Sequence, residues 1–268
     1  MTDAPPDHVF SIDGDRFVPT ALASGPWSPD AMHGGAPAAL LARQLERHDP
    51  GPAGFVARLS VDLLRPVPLT PLEVVTRTVR PGRKVQWLDA ALLADGVEVA
   101  RASALRLRAD DTIGLPPLPE PVPVIPAPGA SAPFDIQPTR AFGFGFWLAM
   151  EVRQAAGSWT ETGPATVWFR LRVPIVADAE PSPLQRVAAA ADFGNGVSSV
   201  LPRGEYLFIN PDLTVQLHRH PTGEWVAVEA ETRADPIGVG LALSTLHDER
   251  GPIGRASQSL LVDQLPKE

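Results

Sequence analysis

The residues of this chain most able to do chemistry are one carboxylate and a pair of glycines. Asp192 stands inside the otherwise apolar run 187–193, close to the predicted end of a helix, where the helix dipole disfavours a negative charge. Gly34 and Gly35 precede another predicted helix, where unpaired backbone N–H groups favour developing negative charge. A carboxylate can orient or deprotonate a water molecule, and such N–H groups can stabilise an oxyanion.

Each of these residues also has a plainer interpretation. Asp192 could cap a backbone group or pair with an arginine, although buried carboxylates are usually paired or functional. Gly34 and Gly35 could serve only the turn into the helix. His33, beside them, could act as a base, but a histidine before a helix is more often a capping or packing residue.

Much of the sequence occurs as two similar copies, with an offset of 154 positions between them. Repetition at one offset indicates a duplicated domain. The copies differ at Gln258, which stands where the first copy has Ala104. The matching segments are LSVDLLRP at 59–66 with LTVQLHRH at 213–220, and RASA at 101–104 with RASQ at 255–258.

Composition excludes several classes of protein. A net charge of -8 argues against nucleic-acid binding, which needs a concentrated basic surface. Without cysteine there is no disulfide, thiol nucleophile or zinc–thiolate site, and the six histidines lack metal-ligand spacing. We therefore expect no metal and no cofactor. No apolar run is long enough for a membrane span and the start is not a signal peptide, so the expected location is cytoplasmic.

The coarse order of elements is the same in both halves, a helix followed by strands. Pro37 suits a first helical turn after Gly35, and apolar residues then recur at helical spacing until about residue 48. The second helix should start at Ser182 and Pro183 and stop at 194–196, where residues tolerant of positive φ stand. The predicted strands are 55–65, 72–80, 85–93 and 97–108, then 206–209, 213–219, 225–233, 238–247 and 254–262.

Proline dominates residues 115–138, which cannot pair into a sheet and favour an extended conformation. We interpret this segment as a linker between domains. The predicted domains are residues 1–112 and 141–268, joined by a Pro-rich linker at 113–140.

Three motifs in order resemble the double-hotdog acyl-CoA thioesterases of the TesB type. They are MHGGAPAAL at 32–40, VDLLRP at 61–66 and ASQ at 256–258. The resemblance implies an α+β tandem (double) hotdog fold, with two antiparallel sheets each wrapping one long helix. It also implies a hydrolase of lipid metabolism that cleaves the thioester of a fatty acyl-CoA or a related acyl-CoA with an activated water. A different class stays open, a double-hotdog protein that binds acyl-CoA or a lipid ligand without turning it over.

The resemblance also implies a set of site residues. In the family an aspartate, a hydroxyl residue and a glutamine hold the water, and Asp192 and Gln258 match the first and last. Asn210 stands at the hydroxyl position; it could instead be a turn former, and Thr214 on the same strand face could take over. Gln258 could otherwise be a surface residue of an edge strand. Gly34, Gly35 and His33 would bind the substrate carbonyl.

Two further groups could bind other parts of the substrate. The hairpin cluster of Arg80, Arg83 and Lys84 could bind the phosphates of coenzyme A, although charged turns are usually only solvated. The aromatic run could line an acyl tunnel, but core packing is the commoner use. This run comprises Phe142, Phe144, Phe146 and Trp147.

The asymmetry between Ala104 and Gln258 predicts how the halves pack. We expect each hotdog sheet to continue the other, the helices to lie side by side, and one shared site at the junction, because duplication frees one of two equivalent sites to decay. A homo-oligomer of this unit stays open. A hydratase on the same fold would want a spaced aspartate and histidine, whereas here they are adjacent, at His48–Asp49 and His247–Asp248.

Overall fold

A computed structural model of the chain describes residues 6–26, 28–48, 54–116, 119, 125–134, 145–202 and 204–265. The first half contains β1 (Phe10–Asp13), β2 (Arg16–Pro19), α1 (Gly35–Arg47), β3 (Gly54–Leu63), β4 (Leu72–Arg80), β5 (Val85–Ala94) and β6 (Val97–Arg108). The short strand β7 (Ala132–Pro133) follows. The second half contains α2 (Gly145–Leu148), β8 (Met150–Ala156), β9 (Ala165–Leu171), α3 (Pro183–Ala191), α4 (Gly194–Val197), β10 (Tyr206–Ile209), β11 (Asp212–Leu217), β12 (Val226–Asp235), β13 (Val239–Asp248) and β14 (Gly251–Gln264).

The strands of the described ranges form one continuous sheet, in the order β1-β2-β4-β5-β6-β3-β11-β14-β13-β12-β9-β8-β7, and β10 also pairs with β14. Outwards from β3 the strands are β6, β5 and β4. Outwards from β11 they are β14, β13 and β12, which are the counterparts of those strands in the second copy. The expectation of two sheets is therefore not confirmed, because the strands of both halves form one large sheet. The expectation that one sheet continues the other agrees with this order, because β3 and β11 pair directly.

The β3–β11 pairing carries the local symmetry of the molecule. In its antiparallel register Ser60 lies opposite Thr214, and these two residues are 154 positions apart, the offset of the repeat. A residue that faces its own counterpart marks a pseudo-twofold axis. The Thr214 hydroxyl donates to Ser60 Oγ over 3.2 Å on this axis.

The two main helices lie against each other and against the inner face of the sheet. α1 is 13 residues long and α3 is 9, so the expectation of one long helix in each half is not confirmed. α3 starts where the sequence predicts, with Ser182 accepting from the Gln185 N–H and Pro183 in the first turn. None of these helices is long and apolar enough to cross a membrane, among the residues that the structure describes.

Two local expectations were wrong. Residues 194–196 have no positive φ; instead they form most of the short helix α4. Part of the predicted linker pairs with the sheet, because Pro133 lies opposite Arg153 in the edge pair β7–β8. An edge strand tolerates proline, whose missing N–H would point away from the ladder.

Candidate active site

Side chains from both halves of the chain contact one carboxylate, that of Asp192. Asp192 caps the C-terminus of α3 and is 4% exposed. Its Oδ1 accepts from Asn210 Nδ2 over 2.7 Å and from Gln258 Nε2 over 3.4 Å. Its Oδ2 lies 3.1 Å from Nδ1 of His33. Three neighbours of different types therefore surround a buried charge, which distinguishes this residue from a simple backbone cap or an arginine partner.

The sheet and the end of α3 fix Gln258. Residues 256, 258 and 260 alternate inwards on β14, a strand that pairs with β11 and β13, so Gln258 is buried and is not a surface residue of an edge strand. Its Oε1 accepts from the Asn195 N–H over 3.0 Å, and its Nε2 donates to the Asp192 carbonyl oxygen over 3.2 Å. The bond from the Asn195 N–H to Oε1 orients the carboxamide of Gln258 so that its nitrogen faces Asp192.

Asn210 occupies the connection between β10 and β11 and contacts Asp192 directly. The structure does not bring Thr214 to the carboxylate. Burial alternates along β11, with Leu213 and Val215 buried, and the Thr214 side chain lies on the other face, where it donates to Ser60. The suggestion that Thr214 replaces the family's hydroxyl is therefore wrong, because strand alternation directs it away from the helices.

The start of α1 lies against the same carboxylate. A Cβ on Gly34 would come within 2.8 Å of Asp192 Oδ2 and 3.0 Å of Oδ1, so glycine permits this approach. No hydrogen bond to the Gly34 N–H is found among the described residues, as is usual for the first amides of a helix. The Gly35 N–H donates to His33 Nδ1 over 3.1 Å. Contacts of 3.1 Å on either side of this nitrogen therefore link the Gly35 amide to Asp192.

Aromatic rings enclose His33. The imidazole packs on Phe193, at 4.4 Å between ring centres, and on Phe146, at 5.0 Å, and these two rings also stack on each other at 6.0 Å. Burial lowers the pKa of His33, and the charge of Asp192 opposes this effect only in part, so the ring is neutral near pH 7. Sequence reasoning missed Phe193 and Asn195 as neighbours of the site. The one available signal was their position directly after Asp192.

The aromatic run is described only in part. Phe146 and Trp147 are buried, and Trp147 packs edge-on against Trp159 at 4.8 Å. These contacts belong to the core, as the commoner use of such residues predicts. Phe142 and Phe144 lie outside the described residues.

The cationic hairpin lies at the other end of α1. Arg83 and Lys84 line a small cleft together with Arg106 and Arg108, whereas the guanidinium of Arg80 lies 5.1 Å from the ring centre of Trp87. Arg106 donates to the carbonyl oxygens of Leu45 and His48 at the C-terminal end of α1. A helix of this length spans about 20 Å, so the cleft and Asp192 are about one helix length apart.

The opposite ends of the two helices form a second junction. There the Ser182 hydroxyl, at the start of α3, donates to Glu46 Oε2 over 2.6 Å, and burial raises the pKa of Glu46 against the effect of this bond. At the offset of the repeat, Val56 and Ala104 replace Asn210 and Gln258. This junction keeps a carboxyl group but has no carboxamide from these two positions.

The other titratable pairs are engaged elsewhere. The imidazole of His247 contacts Glu229 at 2.8 Å, and Asp248 accepts from Arg219 and from two backbone N–H groups. His48 contacts Thr76 and Thr78, and Asp49 is outside the described residues. Within those residues, no group of three or more histidine, aspartate or glutamate side chains could hold a metal ion.

Comparisons with known proteins agree on the family. An acyl-CoA thioesterase N-terminal domain model matches residues 23–107, and an acyl-CoA thioesterase C-terminal domain model matches residues 119–262. No curated protein matches the chain in sequence.

Similar solved structures share the fold at low sequence identity. A hot dog fold protein of unknown function from Alicyclobacillus acidocaldarius is 18% identical, covers 98% of both chains and has a TM-score of 0.72. The acyl-CoA thioesterase II TesB2 from Mycobacterium marinum is 15% identical over 96% of this chain and 95% of its own, with a TM-score of 0.64. The tesB protein from Mycobacterium avium subs paratuberculosis is 15% identical over 96% of both chains, with a TM-score of 0.66.

Proposed function

Because the chain belongs to the acyl-CoA thioesterase family, with the TesB-like hotdog fold, we propose that it hydrolyses the thioester of a fatty acyl-CoA or a related acyl-CoA. The observation that carries this proposal is the buried Asp192, which meets two carboxamides from its own half and the glycine-rich helix start of the other half. This arrangement offers a base beside N–H donors, as attack by water on a carbonyl group requires.

Hydrolysis at this site would proceed in two steps. A water held by Asp192, Asn210 and Gln258 attacks the carbonyl carbon and gives one proton to Asp192, while the carbonyl π electrons move to the oxygen. The Gly34 N–H, for which no acceptor is found among the described residues, stabilises this oxyanion, whereas the Gly35 N–H donates to His33; removal of one oxyanion donor typically costs about 10²- to 10³-fold in rate. The intermediate then collapses, the carbon–sulfur bond breaks, and the proton on Asp192 passes to the leaving sulfur.

The phosphates of coenzyme A are assigned in this proposal to the cleft of Arg83 and Lys84. In a chain of net charge -8, a cleft lined by Arg83 and Lys84 is a favourable place for an anion; of its other two cationic residues, Arg106 bonds to carbonyl oxygens of α1 and Arg108 pairs with Asp110. A substrate that reaches both the cleft and Asp192 must run extended along α1. Arg80, which lies over Trp87, would contribute charge from the adjacent strand.

A non-catalytic binding protein is the second candidate, and one contact favours it. Asn210 Nδ2 donates to Asp192 Oδ1 over 2.7 Å, so it occupies an acceptor that a water would otherwise use. A hydroxyl, unlike this carboxamide nitrogen, could both donate to the carboxylate and accept from water. A protein of this kind would bind acyl-CoA and release no thiol.

The two candidates differ in thiol release from a panel of acyl-CoAs, followed with a thiol reagent. We expect turnover by the wild-type protein and a loss of about 10²- to 10⁴-fold in kcat for Asp192→Asn, because a carboxamide cannot accept the proton of water. Asp62→Asn is the matched control, since this aspartate is 49% exposed and pairs with Arg101 at the surface.

Calorimetric binding of the same acyl-CoAs completes the experiment. Binding without thiol release by the wild-type protein would establish the second candidate. A kcat for Asp192→Asn above about a third of the wild-type value would remove Asp192 from the role of base. An unchanged circular dichroism spectrum in the variant is required for either conclusion.

A further inference from the structure

Five aromatic rings pack together at the N-terminal end of α1, next to Asp192. We call this set the aromatic cluster; its members are Phe146, Trp147, Trp159, Phe169 and Phe193, and each is at most 6% exposed. The ring of Phe193, the residue that follows Asp192 in the chain, lies 4.6 Å from the ring centre of Phe169 and 5.9 Å from that of Trp159. The aromatic cluster therefore borders the proposed reaction centre.

The segment before α1 holds one side of the aromatic cluster in place. The Gly145 N–H donates to Ser24 Oγ over 2.8 Å, and the Phe146 N–H donates to the Ser24 carbonyl oxygen over 3.1 Å. A Cβ on Gly35 would lie 2.7 Å from the Phe146 ring, so glycine lets this ring pack against the first turn of α1. Contacts with the first half of the chain thus fix the position of Phe146.

The acyl group of a bound thioester would point towards these rings. Its carbonyl carbon has to lie between the water at Asp192 and the Gly34 N–H, and the two substituents of this carbon leave it in different directions. The coenzyme A part is assigned to the length of α1, towards the cationic cleft at the C-terminal end of that helix. The acyl part then extends past the N-terminus of α1, where Phe146 and Phe193 lie.

The aromatic cluster fills the space into which the acyl group extends. Neighbouring ring centres in the cluster are 4.6–6.2 Å apart. Aromatic rings at such distances are in contact, so these described neighbours leave no gap between them for a hydrocarbon chain. Separating the rings would cost the dispersion contacts of a close-packed core. A bound acyl chain therefore has to end where it meets the rings.

We propose that the aromatic cluster limits the length of the acyl group, and that the protein prefers acyl-CoAs with a short acyl chain to those with a long one. The inference rests on the proposed function and narrows its substrate class. Phe146 and Phe193 contact the end of the acyl chain. Trp159 packs edge-on against Phe193 and holds that ring in place.

Thiol release from acetyl-, butanoyl-, octanoyl- and hexadecanoyl-CoA tests the proposal in the wild-type protein, with each substrate below the concentration at which it forms micelles. We expect kcat/KM to fall by roughly 10- to 200-fold at the first chain length that meets the rings, which is the usual effect of one excess methylene group in a hydrophobic pocket. Hexadecanoyl-CoA should be the poorest substrate of the series.

Trp159→Leu tests the aromatic cluster without a change in the residues that contact Asp192. Truncation of a buried ring leaves an apolar cavity, and such cavities accept apolar ligands. For the first chain length that the wild-type protein discriminates against, we expect kcat/KM to rise at least about 10-fold relative to that for butanoyl-CoA, the lower end of the effect of one methylene group. Trp159→Phe is a smaller change that should act in the same direction, and it takes the place of Trp159→Leu if that variant does not fold.

Trp168→Leu is the matched control. Trp168 is 1% exposed and precedes Phe169 on β9, so strand alternation places its side chain on the other face of the sheet. There its indole N–H donates to the Pro126 carbonyl oxygen over 2.8 Å. We expect this variant to lose stability and to keep the wild-type ratio of kcat/KM between long and short substrates.

Calorimetric binding of S-alkyl-CoA thioethers of the same chain lengths, which cannot be hydrolysed, separates this inference from the proposed function. Equal kcat/KM across the series, or a preference for hexadecanoyl-CoA, would overturn the inference and leave the hydrolase intact. A protein that releases no thiol but binds short thioethers more tightly than long ones would keep the length limit and overturn the hydrolase. The same change of the long-to-short ratio in Trp159→Leu and Trp168→Leu would also overturn the role of the aromatic cluster.

Discussion

At the scale of single residues, the site depends on the polar contacts that stabilise one buried carboxylate, that of Asp192. Asp192 has carboxamide donors on one oxygen and an imidazole on the other. Hydrogen bonds to charged groups are the strong ones, and a buried charge without them is costly. The contacts therefore serve to keep a carboxylate in an apolar region, and they also leave it beside the start of α1.

Asn210 is the residue at which this chain departs from the family it resembles. Asn210→Thr should preserve or raise thiol release, because a hydroxyl can donate to Asp192 and still accept from water. Asn210→Ala should lower it. Initial rates of thiol release from one well-hydrolysed acyl-CoA compare the two variants with the wild-type protein. A folded Asn210→Thr variant that is distinctly slower would contradict this prediction and would show that the carboxamide is an adaptation of this chain.

Thr214→Ala is the control for this series. Its hydroxyl bonds to Ser60 on the outward face, so we expect less than about a twofold change in rate, as for surface changes of small energetic effect. Equal losses in Asn210→Ala and Thr214→Ala would contradict the strand register described above.

At the scale of elements, α1 connects the two regions with functional assignments. Its N-terminus lies against Asp192, and its C-terminus is capped by Arg106 beside the cationic cleft. Helix dipoles favour anionic groups at the N-terminus and cations at the C-terminus, which is how the charges are arranged here. One rigid element thereby fixes the distance between the proposed reaction centre and the proposed phosphate site.

Close approach of α1 to Asp192 predicts a sharp effect of Gly34→Ala. Gly34 has φ -59 and ψ -24, which suit alanine, so any defect must come from the added methyl group 2.8 Å from Oδ2. We expect kcat to fall by about 10²-fold, the usual cost of a small misplacement, and stability to fall by about 1–3 kcal/mol. Gly129→Ala, where a Cβ would meet nothing within 4 Å, should change neither quantity.

The cleft at the other end of α1 predicts a KM effect. Arg83→Ala and Lys84→Ala should raise KM for acyl-CoA and leave kcat unchanged, because they would remove binding that is equal in the ground state and the transition state. The rise should shrink in high salt, which screens exposed charges. A change in kcat at constant KM would argue against phosphate binding in this cleft.

At the scale of the whole molecule, the β3–β11 pair makes two copies into one sheet. The register that places Ser60 opposite Thr214 also pairs the buried residues Leu59 and Val215. Residues from both halves then share a single core, as the contact between α1 and α3 also shows. A domain pair joined in this way is expected to unfold as a unit.

Leu59→Ala tests whether the two halves unfold together, because Leu59 is 1% exposed and lies in β3, the strand that pairs with β11 of the other half. We expect a loss of about 2–5 kcal/mol in the free energy of unfolding. The midpoint should move equally when unfolding is followed by fluorescence of Trp87 in the first half and of Trp225 in the second, each in a protein lacking the other tryptophans. Val75→Ala, 56% exposed, is the control and should change stability by less than about 0.5 kcal/mol. Separate midpoints for the two halves would contradict the shared core.

The elements follow from local sequence to a large extent. Helix starts at Gly35 and Ser182, and strands such as β5 and β13, depend on capping residues and on alternation over a few positions, so near neighbours suffice to predict them. The end of α3 was predicted incorrectly, because residues 194–196 continue as α4 when Asn195 bonds to Gln258 from a distant strand. A contact over 63 positions leaves no local signal.

The sequence by itself determined the duplication, the family resemblance, and the identity of the residues with chemical potential, because these depend on residue type, order and offset. Only the tertiary structure decided that Thr214 faces Ser60 while Asn210 faces Asp192, and that the cationic hairpin lies one helix length away. The physical reason is strand register. A shift of one residue in β3–β11 would exchange the faces of every side chain in the pair, and this register is set by the packing of both halves together.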